Sequence, residues 1–201
     1  MAFTGKILVG ELSNKMRVIS GSLKGKKINY LKNIITRPLK DSVKENIFNI
    51  LNHSNLINTK VEKANILDLY SGVGSFGIEC LSRGANKVTF IETDIHAASI
   101  LKKNLLQLSL INKSVITRNS VENFLNSNLK EKYQFFFFDP PFADNNFIEN
   151  LNIIKQKKIF EANNTIIIHR EKKTNDNFKD LIEVKIVKKY GRSKIIIGNF
   201  I

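Results

Sequence analysis

The 201-residue sequence has a single cysteine, Cys80, and only three prolines, two of them adjacent. One thiol excludes an intramolecular disulfide framework and fits a reducing, cytoplasmic setting. Cys80 lies inside a helical pattern and reads as a small core residue. The three histidines, His53, His96 and His169, have no cysteine or carboxylate cluster at metal-ligand spacing, so neither a metal nor a histidine base is expected. No apolar run approaches the roughly 18 residues of a membrane-spanning helix, and no membrane partner is expected. Residues 1–12 lack the small-residue cleavage pattern of a signal peptide. Acidic side chains are scarce beside basic ones, 18 against 32, giving a net charge of +14. That excess implies a polyanionic partner, nucleic acid ahead of an anionic membrane surface, with a solvated lysine-rich surface as the plainer alternative. The imbalance is steepest in residues 1–60, which hold 11 Lys and Arg against 3 Asp and Glu.

Hydrophobic residues make up 42% and charged residues 25%, an ordinary soluble composition. The length suits one domain, or one domain with a small appendage. The central stretch is Phe135-Phe136-Phe137-Phe138-Asp139-Pro140-Pro141-Phe142. Four consecutive aromatics read as a strand buried on both faces in a parallel sheet. Two successive prolines have fixed φ and no amide donors, so they stop the strand in a rigid loop. Asp139 and Phe142 are thereby held at the C-terminal sheet edge, where open α/β sheets bind ligands.

Three regions are expected: an extension over 1–15, dispensable or preceding a later start at Met16; a basic appendage over 16–60; and a main domain over 61–201. Residues 16–30 read as a β-hairpin whose exposed edge bears Arg17, Lys24, Lys26 and Lys27. Thr36-Arg37-Pro38 is a loop, and Asp41 caps a helix carrying Val43, Ile47, Phe48, Ile50 and Leu51. Residues 52–61 read as a polar link. From Ala64 strands and helices alternate, with strands near 66–70, 87–92, 114–117, 135–138 and 165–169 and a closing hairpin around Tyr190-Gly191-Arg192-Ser193. The fold class is therefore α/β, a doubly wound Rossmann-like sheet.

Gly72-x-Gly74-x-x-Gly77 follows the first strand of this alternation, and Glu92 stands 20 residues beyond Gly72. Glycines let the backbone approach a ligand and an acidic group accepts ribose hydroxyls, a device shared by nicotinamide and S-adenosylmethionine enzymes. Two features favour the methyl donor. Asp68 suits a cationic amino-acid group and would repel a pyrophosphate. A dehydrogenase also has no need of Asp-Pro-Pro-Phe. Capping is the plainer role for acidic residues at strand ends, with Asp94 the best placed to cap.

Several segments, in order, resemble the RsmD family of bacterial methyltransferases acting on the N2 amine of guanine in small-subunit ribosomal RNA. They are Arg17-Val18-Ile19-Ser20-Gly21 with Lys24-Gly25-Lys26-Lys27; Thr36-Arg37-Pro38; Asp68-Leu69-Tyr70-Ser71-Gly72-Val73-Gly74-Ser75-Phe76-Gly77; Leu81-Ser82-Arg83-Gly84-Ala85; Glu92-Thr93-Asp94; and Asp139-Pro140-Pro141-Phe142. The likeness spans nearly the whole chain from Met16, although methyltransferase loops often have a glycine where Tyr70 stands. It implies a class I S-adenosyl-L-methionine enzyme whose partner is 16S ribosomal RNA, free or in an assembling 30S particle, acting as a monomer. Asp139 and the Pro140 carbonyl would accept the two amine N–H groups while Phe142 stacks on the base. Glu92 would bind the donor ribose and Asp68 its amino group, beside Tyr70, Gly72 and Gly74. Asn119 and Ser120 would meet the adenine edge, although Asn119 equally suits an ordinary turn. Ile95 could wall the adenine pocket, with core packing the plainer role. Arg17, Lys24, Lys26, Lys27, Arg37 and Lys40 would grip phosphates, each lysine alone being as readily a solvated charge. The rivals are an adenine-N6 methyltransferase on DNA or RNA, a non-catalytic RNA-binding ribosome-assembly factor, and a nicotinamide oxidoreductase.

Overall fold

The structure is a computed structural model describing residues 16–30, 39–144 and 146–201. The 1–15 extension and the Thr36-Arg37-Pro38 loop, Arg37 included, lie outside these residues. A two-stranded ribbon comes first, β1 (Met16–Arg17) antiparallel to β2 (Lys27–Ile28), then α1 (Asp41–His53). The alternation follows as β3 (Asn65–Leu69), α2 (Ser75–Ser82), β4 (Lys87–Ile91), α3 (Ile95–Gln107), β5 (Ser114–Thr117), α4 (Val121–Asn126), β6 (Tyr133–Phe138), α5 (Phe147–Lys157) and β7 (Phe160–Glu171). The hairpin of β8 (Ile182–Tyr190) and β9 (Ser193–Phe200) closes the chain. The strands form one sheet in the order β5-β4-β3-β6-β7-β9-β8, parallel as far as β7 and antiparallel in its last three strands. This is the doubly wound α/β sheet expected from the alternation.

The phenylalanine run fills the middle of that sheet because β6 is paired on both sides. Strand side chains alternate between faces. Phe135 and Phe137 join the layer of α1, α2 and α3, whereas Phe136 and Phe138 join that of α4 and α5. Phe76 of α2 stacks on Phe137 with ring centroids 4.0 Å apart. The eight residues of α2 are all buried, so this helix presses close to the sheet. A Cβ at Gly77 would stand 2.3 Å from Phe90 Cε1, which makes glycine a packing requirement there.

Two expectations need correction. Asp41 does not cap α1: it is the first helical residue, and Lys40 holds the cap position without a side-chain hydrogen bond. Asp41 instead lies 3.7 Å from Arg17 Nε and 3.6 Å from Lys44 Nζ, and an acidic side chain in the first turn complements the helix dipole. The 52–61 segment is less polar in place than in composition, since Ile57, Thr59 and Val61 are buried.

Residues 16–30 are stitched to the sheet by side chains of α2 and α3. Glu79, fully buried, accepts hydrogen bonds from the Ile19 and Ser20 amides at 2.7 and 2.9 Å and from Arg83 Nε at 2.9 Å. Ser82 Oγ accepts from the Leu23 amide at 3.0 Å and donates to the Ser20 carbonyl at 2.6 Å. Asn104 accepts from the Asn29 amide at 2.9 Å and donates to the carbonyls of Asn29 and Val73. Met16, Val18 and Ile28 enter the same core as α1 and α2. Lys44, also fully buried, lies 3.9 Å from Glu79 and donates to the Arg17 carbonyl at 2.9 Å. Burial lowers its pKa against the opposing pull of Glu79 and Asp41.

Removing the Glu79 carboxylate leaves two amides and Arg83 Nε without their acceptor and takes one counter-charge from the buried Lys44 ammonium. Glu79→Ala should cost about 3–5 kcal/mol of unfolding free energy, the usual cost of breaking a buried pair from one side. A urea titration against the parent protein measures it.

Candidate active site

β3 is the switch point of the sheet, with β4 and β5 to one side and β6 and β7 to the other. In such sheets the crevice opens at the C-terminal strand ends. Leu69 lies opposite Ile91 and Phe138, and Phe138 lies opposite Ile168. The residues that follow, Tyr70, Glu92, Asp139 and His169, are therefore brought to one edge. Backbone bonds hold this alignment, from the Ser71 amide to the Ile91 carbonyl at 3.0 Å and from the Asp139 amide to the Leu69 carbonyl at 3.5 Å.

The glycine loop leaves β3 through Tyr70, whose φ of +62° lies in the left-handed region where glycine has no steric penalty. Its hydroxyl accepts from Asn150 Nδ2 at 2.9 Å, and burial raises its pKa so that it stays neutral. Gly72 has open space where a Cβ would stand, so ligand approach to the backbone is unobstructed. Gly74 differs: a Cβ there would lie 2.3 Å from Leu101 Cδ1. Its φ of +84°, in the left-handed region, together with packing against α3, accounts for that glycine.

Glu92 ties the loop down. Its Oε2 accepts from the Gly72 amide at 2.6 Å and its Oε1 from the Asp94 amide at 2.8 Å. Asp94 caps α3 through the Ala97 amide at 2.7 Å, as expected. Asp68 is 1% exposed, with Oδ2 accepting from the Gly77 amide at 3.0 Å while Oδ1 is buried without a hydrogen-bond partner. Burial drives its pKa well up; the Gly77 amide opposes this, and the nearby charges of Asp139 and Glu92 add to it.

Asn119 and Ser120 reach the same edge after β5. Ser120 Oγ caps α4 by accepting from the Asn123 amide at 3.1 Å, and Asn119 Oδ1 accepts from the Ser120 amide at 2.9 Å. Ile95 is 56% exposed at the start of α3, which rules out core packing as its role.

Asp139 Oδ1 is 2.8 Å from His169 Nδ1. The Phe142 ring meets His169 edge-on at 5.9 Å. Arg170, fully buried, donates from Nη1 to the Pro141 carbonyl at 3.2 Å, pairs with Asp176 and lies over the Phe147 ring. The sequence reading missed both partners of the loop. Their signal was positional: they end a strand adjacent in the sheet to the phenylalanine run.

The basic residues divide. Lys24, Lys26, Lys27 and Lys40 are exposed, and the Arg17 side chain is 66% exposed. Arg17 lies near the start of α2, because Lys44 spans its carbonyl and Ser75 Oγ. The ribbon turn, with Lys24 and Lys26, docks at Ser82, the far end of α2. An eight-residue helix is about 12 Å long, so the turn stands about that far from the glycine loop. A hollow of about 380 Å³ lined by Thr59, Lys60, Lys63, Gln134 and Glu161 opens beside Ala64, ahead of β3, away from the carboxylates. Among the described residues, no group of three or more His, Cys, Asp or Glu could hold a metal ion.

The family described as "Conserved hypothetical protein 95" matches residues 16–199. The chain belongs to this family, the RsmD family. Ribosomal RNA small subunit methyltransferase D of Haemophilus influenzae is 32% identical over 169 residues, which cover 83% of this chain and 84% of that protein. Among solved structures, a protein of Escherichia coli assigned as a methyltransferase, yhhF, superposes with a TM-score of 0.78 at 24% identity, over 93% of this chain and 98% of its own. Another protein assigned as a methyltransferase, SMU.776, solved in complex with SAH, has a TM-score of 0.65 at 14% identity, over 86% of this chain and 54% of its own. At these identities the two structures establish a shared fold.

The buried Asp68 carboxyl sets a pH dependence. Its folded-state pKa lies above the ordinary 3.8, so the folded state holds the proton more tightly and this group's contribution to stability falls as pH rises between the two values. Asp68→Asn should therefore unfold at a higher temperature than the parent at pH 8, with the advantage shrinking toward pH 4. Paired thermal melts across that range measure it.

Proposed function

We propose that this protein transfers a methyl group from S-adenosyl-L-methionine to the N2 amine of a guanine in small-subunit ribosomal RNA. Family membership supports the reaction class. The observation that carries the reading is the placing of Asp139, at the end of the Pro-Pro-bounded strand, beside the open glycine loop of the adjacent strand.

The residues present fit the donor. Glu92 and Asp139 bring negative charge to the edge beside the buried Asp68 carboxyl, which suits a cationic donor and repels a pyrophosphate. The unpartnered Asp68 Oδ1 is an acceptor for the donor's ammonium, directly or through water. Gly72 leaves room for the donor at the loop, and Glu92, already fixed by two amides, accepts ribose hydroxyls with its remaining lone pairs. Tyr70 and Gly74 shape the loop. Exposed Ile95 offers an apolar wall to the adenine, with Asn119 and Ser120 at its edge. When bound, the donor supplies an electrophilic methyl group.

The guanine amine is a poor nucleophile because its lone pair is delocalised into the ring. Asp139 and the Pro140 carbonyl accept its two N–H groups and orient the lone pair, and Phe142 stacks on the base. Positioning then provides most of the rate. After transfer the surplus proton leaves to Asp139 or to water. The base has to leave its stack, and aromatic stacking offsets part of that cost. Arg17, Lys24, Lys26, Lys27, Arg37 and Lys40 in the 16–60 appendage contact phosphates, while 61–201 holds the chemistry. The rRNA is taken free or within an assembling 30S particle, the labelling below distinguishing the two, and the enzyme acts as a monomer.

Incubation with labelled donor and, separately, small-subunit rRNA, assembled subunits and duplex DNA tests the reading. Label at guanine N2 is expected, and label confined to adenine in DNA would overturn it. Asp139→Ala should lower the transfer rate at least about 100-fold with donor affinity retained. Binding to RNA should weaken steeply with salt, and Lys24→Ala with Lys26→Ala should flatten that slope by about one phosphate contact per lysine.

A further inference from the structure

His169 and Arg170 are consecutive on β7, so their side chains leave opposite faces of the sheet. Each takes hold of the same neighbouring loop. His169 Nδ1 lies 2.8 Å from Asp139 Oδ1, and its ring meets Phe142 edge-on at 5.9 Å. Arg170 Nη1 donates to the Pro141 carbonyl at 3.2 Å. Two prolines fix φ of the loop, but they leave the Asp139 carboxylate free to turn about a broad two-fold torsion. A hydrogen bond to an imidazole selects one orientation. With Asp139 ionised, Nδ1 has to carry the hydrogen, because a carboxylate only accepts. One oxygen is then committed to His169, and Oδ2 is left as the acceptor for an incoming N–H.

The anchors themselves are fixed. Arg170 is fully buried, paired with Asp176 and stacked over Phe147. Asp176 also accepts from Thr174 Oγ1 at 2.7 Å and lies 3.3 Å from Lys194 Nζ. β7 is hydrogen-bonded to β6 on one side and β9 on the other. A movement of the loop would therefore have to break contacts to a central strand.

We propose that His169 and Arg170 form a clamp that presents Asp139 Oδ2 and Phe142 to the acceptor base, with His169 the positioning residue for methyl transfer. The inference rests on the amine-methylating reading of the site, and its test has one arm that does not. The protein has no tryptophan, so Phe142→Trp places a single fluorescent reporter on the loop. In donor-free protein of that background, His169→Leu should lower the anisotropy of Trp emission. His169→Asn, whose amide nitrogen can take the place of Nδ1, should keep it near the parent value. With Phe142 retained, His169→Leu should lower kcat about ten- to 100-fold, while calorimetry finds donor affinity within about twofold of the parent. His169→Asn should recover kcat to within about threefold. If the Leu variant does not fold, His169→Gln, with its nitrogen at the Nε2 position, replaces it as the disrupting arm. Disrupting and Asn variants that behave alike in both readouts, or a loss of donor binding that accounts for the loss of rate, would overturn the clamp. If the parent methylates no guanine, the functional reading fails, and the anisotropy comparison still decides the clamp.

Discussion

Parallel pairing in register at the centre of the sheet is the constraint on which the site depends. β3, β4 and β6 end at one level, beside Ile168 of β7, because Leu69, Ile91, Phe138 and Ile168 are aligned across the four strands. A slip of one residue in β6 would carry Gln134 into the buried place of Phe135 or Asp139 into that of Phe138, a costly burial of a polar group. The polar residues at the two ends of the buried run thus fix the register, and Asp139 keeps its place at the edge. The same alignment brings Tyr70 and Glu92 to the edge from β3 and β4. No loop has to search for the arrangement.

Much of the polar interior is organised around charge. Glu79 and Lys44 are buried on adjacent helices, and Glu79 serves amides of the ribbon, whereas Arg170 and Asp176 form a second buried pair beside the Pro140-Pro141 loop. Such pairs contribute little net stability but are costly to break from one side. Their effect is to fix geometry. Asp68 differs in having no ion-pair partner among the described residues, and one of its oxygens has no hydrogen-bond partner there either. A group of that kind is a liability in an empty site and an asset once a cation arrives.

Fold class and site edge were legible in the sequence because their signals are local. An unbroken aromatic run, a double proline and a glycine-rich loop between apolar segments each have few physical readings. The Asp94 cap was legible for the same reason. Roles that depend on packing were not. Gly72 and Gly74 look alike in sequence, yet one faces open space and the other faces Leu101. Asp41 precedes a helical pattern as a cap would, but the basic neighbours Arg17 and Lys44 draw it into ion pairs. His169 has no cysteine or carboxylate cluster at metal-ligand spacing along the chain to mark it. Its carboxylate is 30 residues away and comes alongside only when β6 pairs with β7.

The ribbon at the start of the chain has a consequence for how the protein is made. Each of its strands is two residues long, and a two-stranded ribbon is at best marginal alone. Its anchors on Glu79, Ser82 and Asn104 stand 59 to 75 residues downstream. During synthesis this basic segment is made before its anchors, and it has nothing to dock on until the first two helices of the alternating region have been made and have packed on their strands. A segment made before its anchors is thus ordered after them, and its lysines are presented as a surface only once α2 and α3 stand in place.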